Sequence, residues 1–203
     1  MLKRFGMAAI AAIALPATAN AHSFEAGANT YTLFLAGVEA VYADLGIALL
    51  ILAAGLLIGL DKNASKHTGF AALLAGAIIG CALTVPFNFT PTTVLLLSAT
   101  AVACLAAWRP AWKLPWLMLA LGWAGGMAAW SVFAGHEEVI APFPVYVGTL
   151  FALYVGVATT GAITKLAMET VQKGWMEIGF RAMASWVAAI AIMTLAFLST
   201  GAA

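Results

Sequence analysis

Long apolar runs, separated by short breaks that are polar or contain proline, dominate the pattern of this chain. A helix needs about 20 mostly apolar residues to cross the hydrocarbon core of a bilayer, and the pattern predicts about six such spans. The predicted spans cover residues 33–60, 69–87, 92–108, 116–134, 145–164 and 179–199. Because the breaks are short, neighbouring helices should run antiparallel, which predicts an all-α polytopic bundle.

The N-terminus follows a different pattern. Two basic residues precede a short apolar run, and Ala19-Asn20-Ala21 then has the small-residue spacing of a cleavage site. This order is typical of a secretory signal peptide. We therefore predict a cleaved signal peptide over residues 1–21 and a single transmembrane domain over residues 22–203. An uncleaved N-terminal anchor is the alternative.

Composition supports a membrane location. Hydrophobic residues make up 64% of the chain and charged residues only 8%, whereas soluble domains carry about 25% charged residues. The lipid bilayer is therefore the first expected partner. A net charge of +1 gives no reason to expect nucleic acid. Cys81 and Cys104 both lie in apolar runs, which argues against a disulfide scaffold.

The basic residues predict the orientation. If the mature N-terminus is outside the cytoplasm and about six spans alternate, all nine lysines and arginines fall on the cytoplasmic side, as the positive-inside rule requires. They are Lys3, Arg4, Lys62, Lys66, Arg109, Lys113, Lys165, Lys173 and Arg181. We expect a multi-pass protein of a bacterial inner membrane with both mature termini on the periplasmic side.

Two carboxylates, Glu39 and Asp44, lie near the outer end of the first predicted span. A charge in hydrocarbon costs roughly 2.5–3.5 kcal/mol, so it usually faces a cavity or a partner. Five residues correspond to about 140° around a helix, so the two acids do not share a face closely. Separate contributions to an outer vestibule, or exposure at the interface, fit this spacing better than an acid–base pair.

The other candidate metal ligands on the predicted outer side are two histidines and a neighbouring glutamate. After cleavage, His22 would offer an amino group and an imidazole nitrogen to one metal ion, and imidazole suits nickel, copper and zinc. His136 and Glu137 stand together in the predicted outer loop after the fourth span. A loop can bring such residues to one ion, although a solvated acidic loop is the simpler interpretation.

Catalysis has little support in the sequence. The chain has no G-x-S-x-G elbow, no H-E-x-x-H pair and no phosphate-binding loop. No histidine lies in the middle of a predicted span, where a membrane haem would need one. We therefore expect no enzymatic activity and no firmly held cofactor. A divalent transition-metal ion, bound or transported, is the candidate ligand.

Close helix packing is indicated by small residues at four-residue spacing, which lets helices approach each other. The pairs are Gly55/Gly59, Gly76/Gly80 and Gly122/Gly126.

The layout resembles a known family. The stretches "AVYADLGIALLILAAGL" (40–56), "AGHEE" (134–138) and the Arg-led "FRAMASWVAAIAIMTLAF" (180–197), together with the signal peptide and about six spans, are similar to the HupE/UreJ hydrogenase/urease accessory membrane proteins. In that family's first span a histidine–aspartate motif is expected. Its histidines align with Ala40 and Ile47, and its aspartate with Gly46.

The resemblance implies a nickel or cobalt permease in which His22, His136 and Glu137 take part in metal capture. Glu39 and Asp44 stand one or two positions from the family's motif in the first span. The alternative is a non-transporting accessory subunit that packs against a larger membrane enzyme complex or metalloenzyme. Its basis is the changed motif, together with helix faces rich in glycine and alanine.

Overall fold

The computed structural model describes residues 29–61, 66–83, 91–108, 114–134, 141–171 and 174–200. Over these residues the chain forms seven α-helices and no strand, which confirms the predicted all-α class for the described part. The helices are α1 Thr30–Ala43, α2 Leu45–Leu60, α3 Lys66–Ala82, α4 Pro91–Trp108, α5 Leu114–Phe133, α6 Phe143–Val171 and α7 Gly174–Ser199. The predicted signal peptide lies outside the described residues.

Four helices, α4 to α7, are long and apolar enough to cross a membrane. The first predicted span forms two helices rather than one, since α1 and α2 meet at Asp44 with a bend of 81°. Counted as one broken span, this pair makes a fifth candidate, and Thr68–Ala82 within α3 is a shorter apolar helix. The described residues thus hold four or five candidate spans by length and composition, against the predicted six.

The helix α2 runs parallel to α6 in close contact. A Cβ on Gly55 would overlap the side chain of Thr160, and a Cβ on Gly59 would overlap that of Thr164. Because both contacts advance by four residues, the two helices keep one direction and one register. Thirteen of the sixteen residues of α2 are buried, so this helix is the centre of the bundle.

The helices α3 and α5 form a second parallel pair. A Cβ on Gly76 would overlap the carbonyl oxygen of Gly122, and a Cβ on Gly80 would overlap that of Gly126. Two of the predicted small-residue pairs therefore face each other. Gly76 and Gly80 thus have no room for a Cβ, whereas a Cβ on Gly122 would lie 3.4 Å from its nearest neighbour, the carbonyl oxygen of Ala72. Small residues allow this close approach of helices.

The remaining contacts give the directions of the other helices. Arg181 at the start of α7 binds Ala107 at the end of α4, so these two are antiparallel. Phe133 at the end of α5 stacks on Tyr146 at the start of α6. The first turn of α2 contacts Leu95 near the start of α4. Hence α2, α4 and α6 run one way and α3, α5 and α7 run the other.

This alternation allows the two ends of the bundle to be named. Following the predicted orientation, we call the end at which α2, α4 and α6 begin the outer end, and the opposite one the inner end. Between them, the buried polar side chains of the described part are Ser98, Thr149 and Thr164. Ser98 accepts a hydrogen bond from the indole of Trp123, and the two threonines donate to carbonyls of their own helix. The described interior therefore buries no charged side chain.

Candidate functional site

Asp44 stands at the break between α1 and α2. Its backbone is extended (φ −89°, ψ 119°), so it ends one helix and begins the next. Its Oδ1 accepts a hydrogen bond from the backbone N–H of Ile47 at 3.0 Å, and its own carbonyl accepts the first helical hydrogen bond from Ala48. This is the geometry of an N-cap, for which aspartate is among the preferred residues. The half-buried carboxylate of Asp44 therefore has a structural role.

Gly46 makes room for this arrangement. A Cβ at Gly46 would lie 3.1 Å from Oδ1 of Asp44 and 3.1 Å from Cβ of Leu95. Both distances are tighter than ordinary van der Waals contacts. The glycine lets α4 pack against the first turn of α2 while the capping carboxylate stays in place.

Glu39 lies in a different environment from Asp44. It is exposed on α1, on the same side as Tyr31, Leu35 and Tyr42. Gly37 and Val41, on the opposite side, are buried, and Gly37 lies against α6. The predicted angle of about 140° between the two acids assumed one continuous helix, and it does not apply because Asp44 lies at the break between two helices. One carboxylate is displayed on a surface, and the other caps a helix.

The other predicted metal ligands lie outside the described residues: His22 precedes α1, and His136 and Glu137 fall between α5 and α6. The helix ends that flank His136 and Glu137 are at the outer end, because Phe133 stacks on Tyr146. Within the described ranges, no three His, Cys, Asp or Glu side chains come together to hold a metal ion. Metal binding by these five residues stays a prediction.

Basic side chains mark the opposite end. Arg181 donates from Nε to the carbonyl of Ala107 at 2.8 Å and from Nη2 to that of Trp108 at 3.3 Å. It thereby satisfies carbonyls that the end of α4 leaves without helical partners, and its positive charge suits the negative end of the helix dipole. Lys165, also near the inner end, pairs with Glu169 at 4.0 Å. Among described residues, the acids of the first run and these cations lie at opposite ends of the bundle.

The sequence analysis did not predict three of these roles. An aspartate immediately before an apolar helical run is typical of an N-cap, so the capping role of Asp44 could have been predicted. The cap formed by Arg181 had no such signal, because its acceptors are more than seventy residues away. The same holds for Tyr42, whose hydroxyl donates to the carbonyl of Ala152 at 3.1 Å and ties α1 to α6.

The resemblance to the HupE/UreJ proteins rests on the short stretches quoted above. A comparison of the chain with protein-family models, curated proteins and solved structures gives no match.

Proposed function

We propose that this chain is a multi-pass inner-membrane protein that captures a divalent transition-metal cation at its outer face and passes it inward, as a HupE/UreJ-like permease. The observation that supports this most is the placement of Glu39 and Asp44. Both lie towards the outer end, where the described residues include no lysine or arginine, whereas Lys165 and Arg181 lie towards the inner end together with Asp61, Glu169 and Glu177. A local excess of carboxylates attracts cations.

The carboxylate of Asp44 has acceptor positions left with which it can bind a cation. Its two oxygens offer about four lone-pair positions, and the hydrogen bond from Ile47 uses one oxygen. A cation reaching the break between α1 and α2 would meet the remaining acceptor positions on a carboxylate whose orientation the cap already holds. Glu39, exposed on α1, would gather ions from the outer solution.

In this proposal His22, His136 and Glu137 supply the remaining ligands from the segments before α1 and after α5. Imidazole nitrogens favour nickel, cobalt and copper over magnesium or calcium, which carboxylates and water suit better. The proposal therefore names nickel, cobalt or copper as the ion.

The test compares charge removal at the two ends of the bundle. Binding of Ni²⁺, Co²⁺ and Cu²⁺ to the purified protein is measured by equilibrium dialysis for Glu39→Gln, Asp44→Asn and the inner-end control Glu169→Gln. Asparagine caps helices as well as aspartate does, so Asp44→Asn removes the charge and keeps the fold. We expect affinity to fall roughly tenfold or more in the two outer variants and to stay unchanged in the control.

Transport is measured separately, as metal entry into proteoliposomes that contain a metal-sensitive dye. Entry that requires the protein and slows in the outer variants supports the permease. Binding and entry that are unchanged when Glu39→Gln and Asp44→Asn are combined would refute metal capture by these carboxylates.

A non-transporting accessory subunit is the second candidate, and one observation favours it. The helix α7 packs mainly on α4 and leaves large apolar side chains exposed, such as Trp186 (70% exposed) and Phe197 (60% exposed). Purification from native membranes in a gentle detergent separates the two functions. Stable co-migration with a large enzyme, and no bound metal, favours the subunit. A lone protein or homo-oligomer that binds metal stoichiometrically favours the permease.

A further inference from the structure

The helix α1 crosses α6 instead of running along it. Phe34 and Tyr42 are eight residues apart, which is about 12 Å along a helix. Yet the ring of Phe34 lies 5.6 Å from that of Phe151, and the hydroxyl of Tyr42 donates to the carbonyl of the next residue, Ala152. Two distant positions on α1 therefore reach the same turn of α6, which agrees with a steep crossing, because α1 is bent by 81° from α2 and α2 is parallel to α6.

The register of α2 shows how far α1 departs from a continuous span. Gly55 lies on Thr160 and Gly59 on Thr164, so α2 follows α6 residue by residue. A straight continuation at this register would place Phe34 beyond the first residue of α6. The bend of 81° at Asp44 brings it back instead.

Glycines at the crossing point agree with this geometry. A Cβ on Gly37 would overlap the carbonyl oxygen of Val145, and a Cβ on Gly148 would overlap that of Phe34. Helices that cross steeply touch over a short length, and here the two backbones meet at that one place. The hydroxyl of Thr149 is 3.4 Å from the carbonyl of Gly37 at the same crossing.

The crossing lies at the outer end of the bundle. It involves Val145 to Ala152, near the start of α6, and Tyr146 in this stretch stacks on Phe133 at the end of α5. If α2 and α6 are aligned with the bilayer normal, α1 is nearly parallel to the membrane plane and crosses within the first ten residues of α6.

The side of α1 that faces away from α6 has residues suited to the membrane–water interface. Its exposed residues include Tyr31 (68% exposed), Leu35 and Glu39, which repeat every four residues. They face away from α6, so in a bilayer this side meets lipid or water and not the bundle. Tyrosine is enriched at membrane–water interfaces, and a carboxylate such as that of Glu39 costs less there than in hydrocarbon.

We propose that α1 is an in-plane helix whose exposed side, with Tyr31, Leu35 and Glu39, docks in the phospholipid headgroup layer of the outer leaflet. Glu39 is then solvated among headgroups, so it avoids the cost of a charge in hydrocarbon. The inference rests on the membrane-spanning part of the proposed function and is independent of metal capture.

Nitroxide depth measurements test this. Cys81 and Cys104 are first replaced by alanine. Single spin labels are then attached in reconstituted vesicles of phosphatidylcholine and phosphatidylglycerol, and collision with oxygen and with a water-soluble nickel chelate reports depth. The labelled positions on α1 come from Thr32→Cys, Glu39→Cys and Ala43→Cys, which lie within about 40° of one another around the helix. All three are exposed, so folding should survive, which far-ultraviolet circular dichroism checks.

A matched set on α7 provides the control. Ile178→Cys, Ser185→Cys and Ala189→Cys are also exposed and have the same spacing over eleven residues. A helix along the membrane normal changes depth by about 16 Å over that length. We expect this gradient on α7, and on α1, which is bent by 81° from α2, depths at headgroup level that differ by much less than that.

The outcomes separate the inference from the proposed function. A gradient on both helices would overturn the in-plane placement and leave the spanning bundle intact. Three α1 labels in bulk water, away from lipid, would overturn the docking. A uniform depth on α7 would refute the spanning premise, and with it both proposals. Uniform headgroup depth on α1 beside a gradient on α7 supports the inference.

Discussion

Removing the cap at Asp44 should destabilise the bundle, although the residue lies near the outer end. Asp44→Ala deletes the acceptor of the Ile47 N–H, which is bonded at 3.0 Å. Ile47 is only 1% exposed, so water cannot easily replace the lost partner. Asp44→Asn keeps an acceptor oxygen at the same place and removes only the charge.

The magnitude follows from these contacts. Loss of an N-cap costs about 1 kcal/mol, and leaving a buried donor unsatisfied costs about 1–3 kcal/mol. Because these two costs overlap, we expect Asp44→Ala to lower the free energy of unfolding by about 2 kcal/mol. The charge contributes through the helix dipole about 0.3–1 kcal/mol, which is the expected loss in Asp44→Asn.

The assay is equilibrium unfolding in mixed micelles, followed by far-ultraviolet circular dichroism, with the wild-type chain and both variants in the same detergent and without metal. A clear loss in Asp44→Ala and a small one in Asp44→Asn would confirm the cap. Equal losses in the two variants would assign the stabilisation to the charge. No loss in Asp44→Ala would refute the capping role.

Two further predictions concern helix contacts. Gly76→Ala should lower the free energy of unfolding by about 1–3 kcal/mol, because the new methyl group overlaps the carbonyl of Gly122. Gly179→Ala has nothing within 4 Å of the new methyl group, so it should leave the free energy of unfolding unchanged or raise it by up to about 1 kcal/mol. In the same unfolding assay, Gly179→Ala should therefore be the more stable of the two variants. Arg181→Ala should lower the free energy of unfolding by about 1 kcal/mol, because the hydrogen bonds to the carbonyls of Ala107 and Trp108 are lost. Arg181→Lys should recover only part of this stability, since lysine lacks the planar fork of the guanidinium group. Full recovery in Arg181→Lys would contradict a cap on two carbonyls.

The apolar pattern predicted the helices well because helices that contact lipid and helices buried in the bundle are both built from apolar residues. Each predicted span overlaps a described helix. A long hydropathy window does not detect a single polar residue at which the chain changes direction. Asp44 lies within an apolar run, and only its local capping chemistry indicates that one helix ends there and another starts.

The sequence placed Glu39 and Asp44 about 140° apart on one continuous helix. The structure instead puts Glu39 on the exposed side of α1 and Asp44 at the cap of α2, because the helix breaks at Asp44. The metal role of these two acids, and of His22, His136 and Glu137, stays a prediction.

The sequence by itself determined the helical class and the positions at which helices could approach closely. These properties depend on composition and on local spacing. Only the tertiary structure decided that Gly76 and Gly80 pair with Gly122 and Gly126, and that Arg181 caps α4. It also decided that α1 turns across α6. Each of these depends on contacts between segments far apart in the chain, and local spacing does not say which partner is chosen.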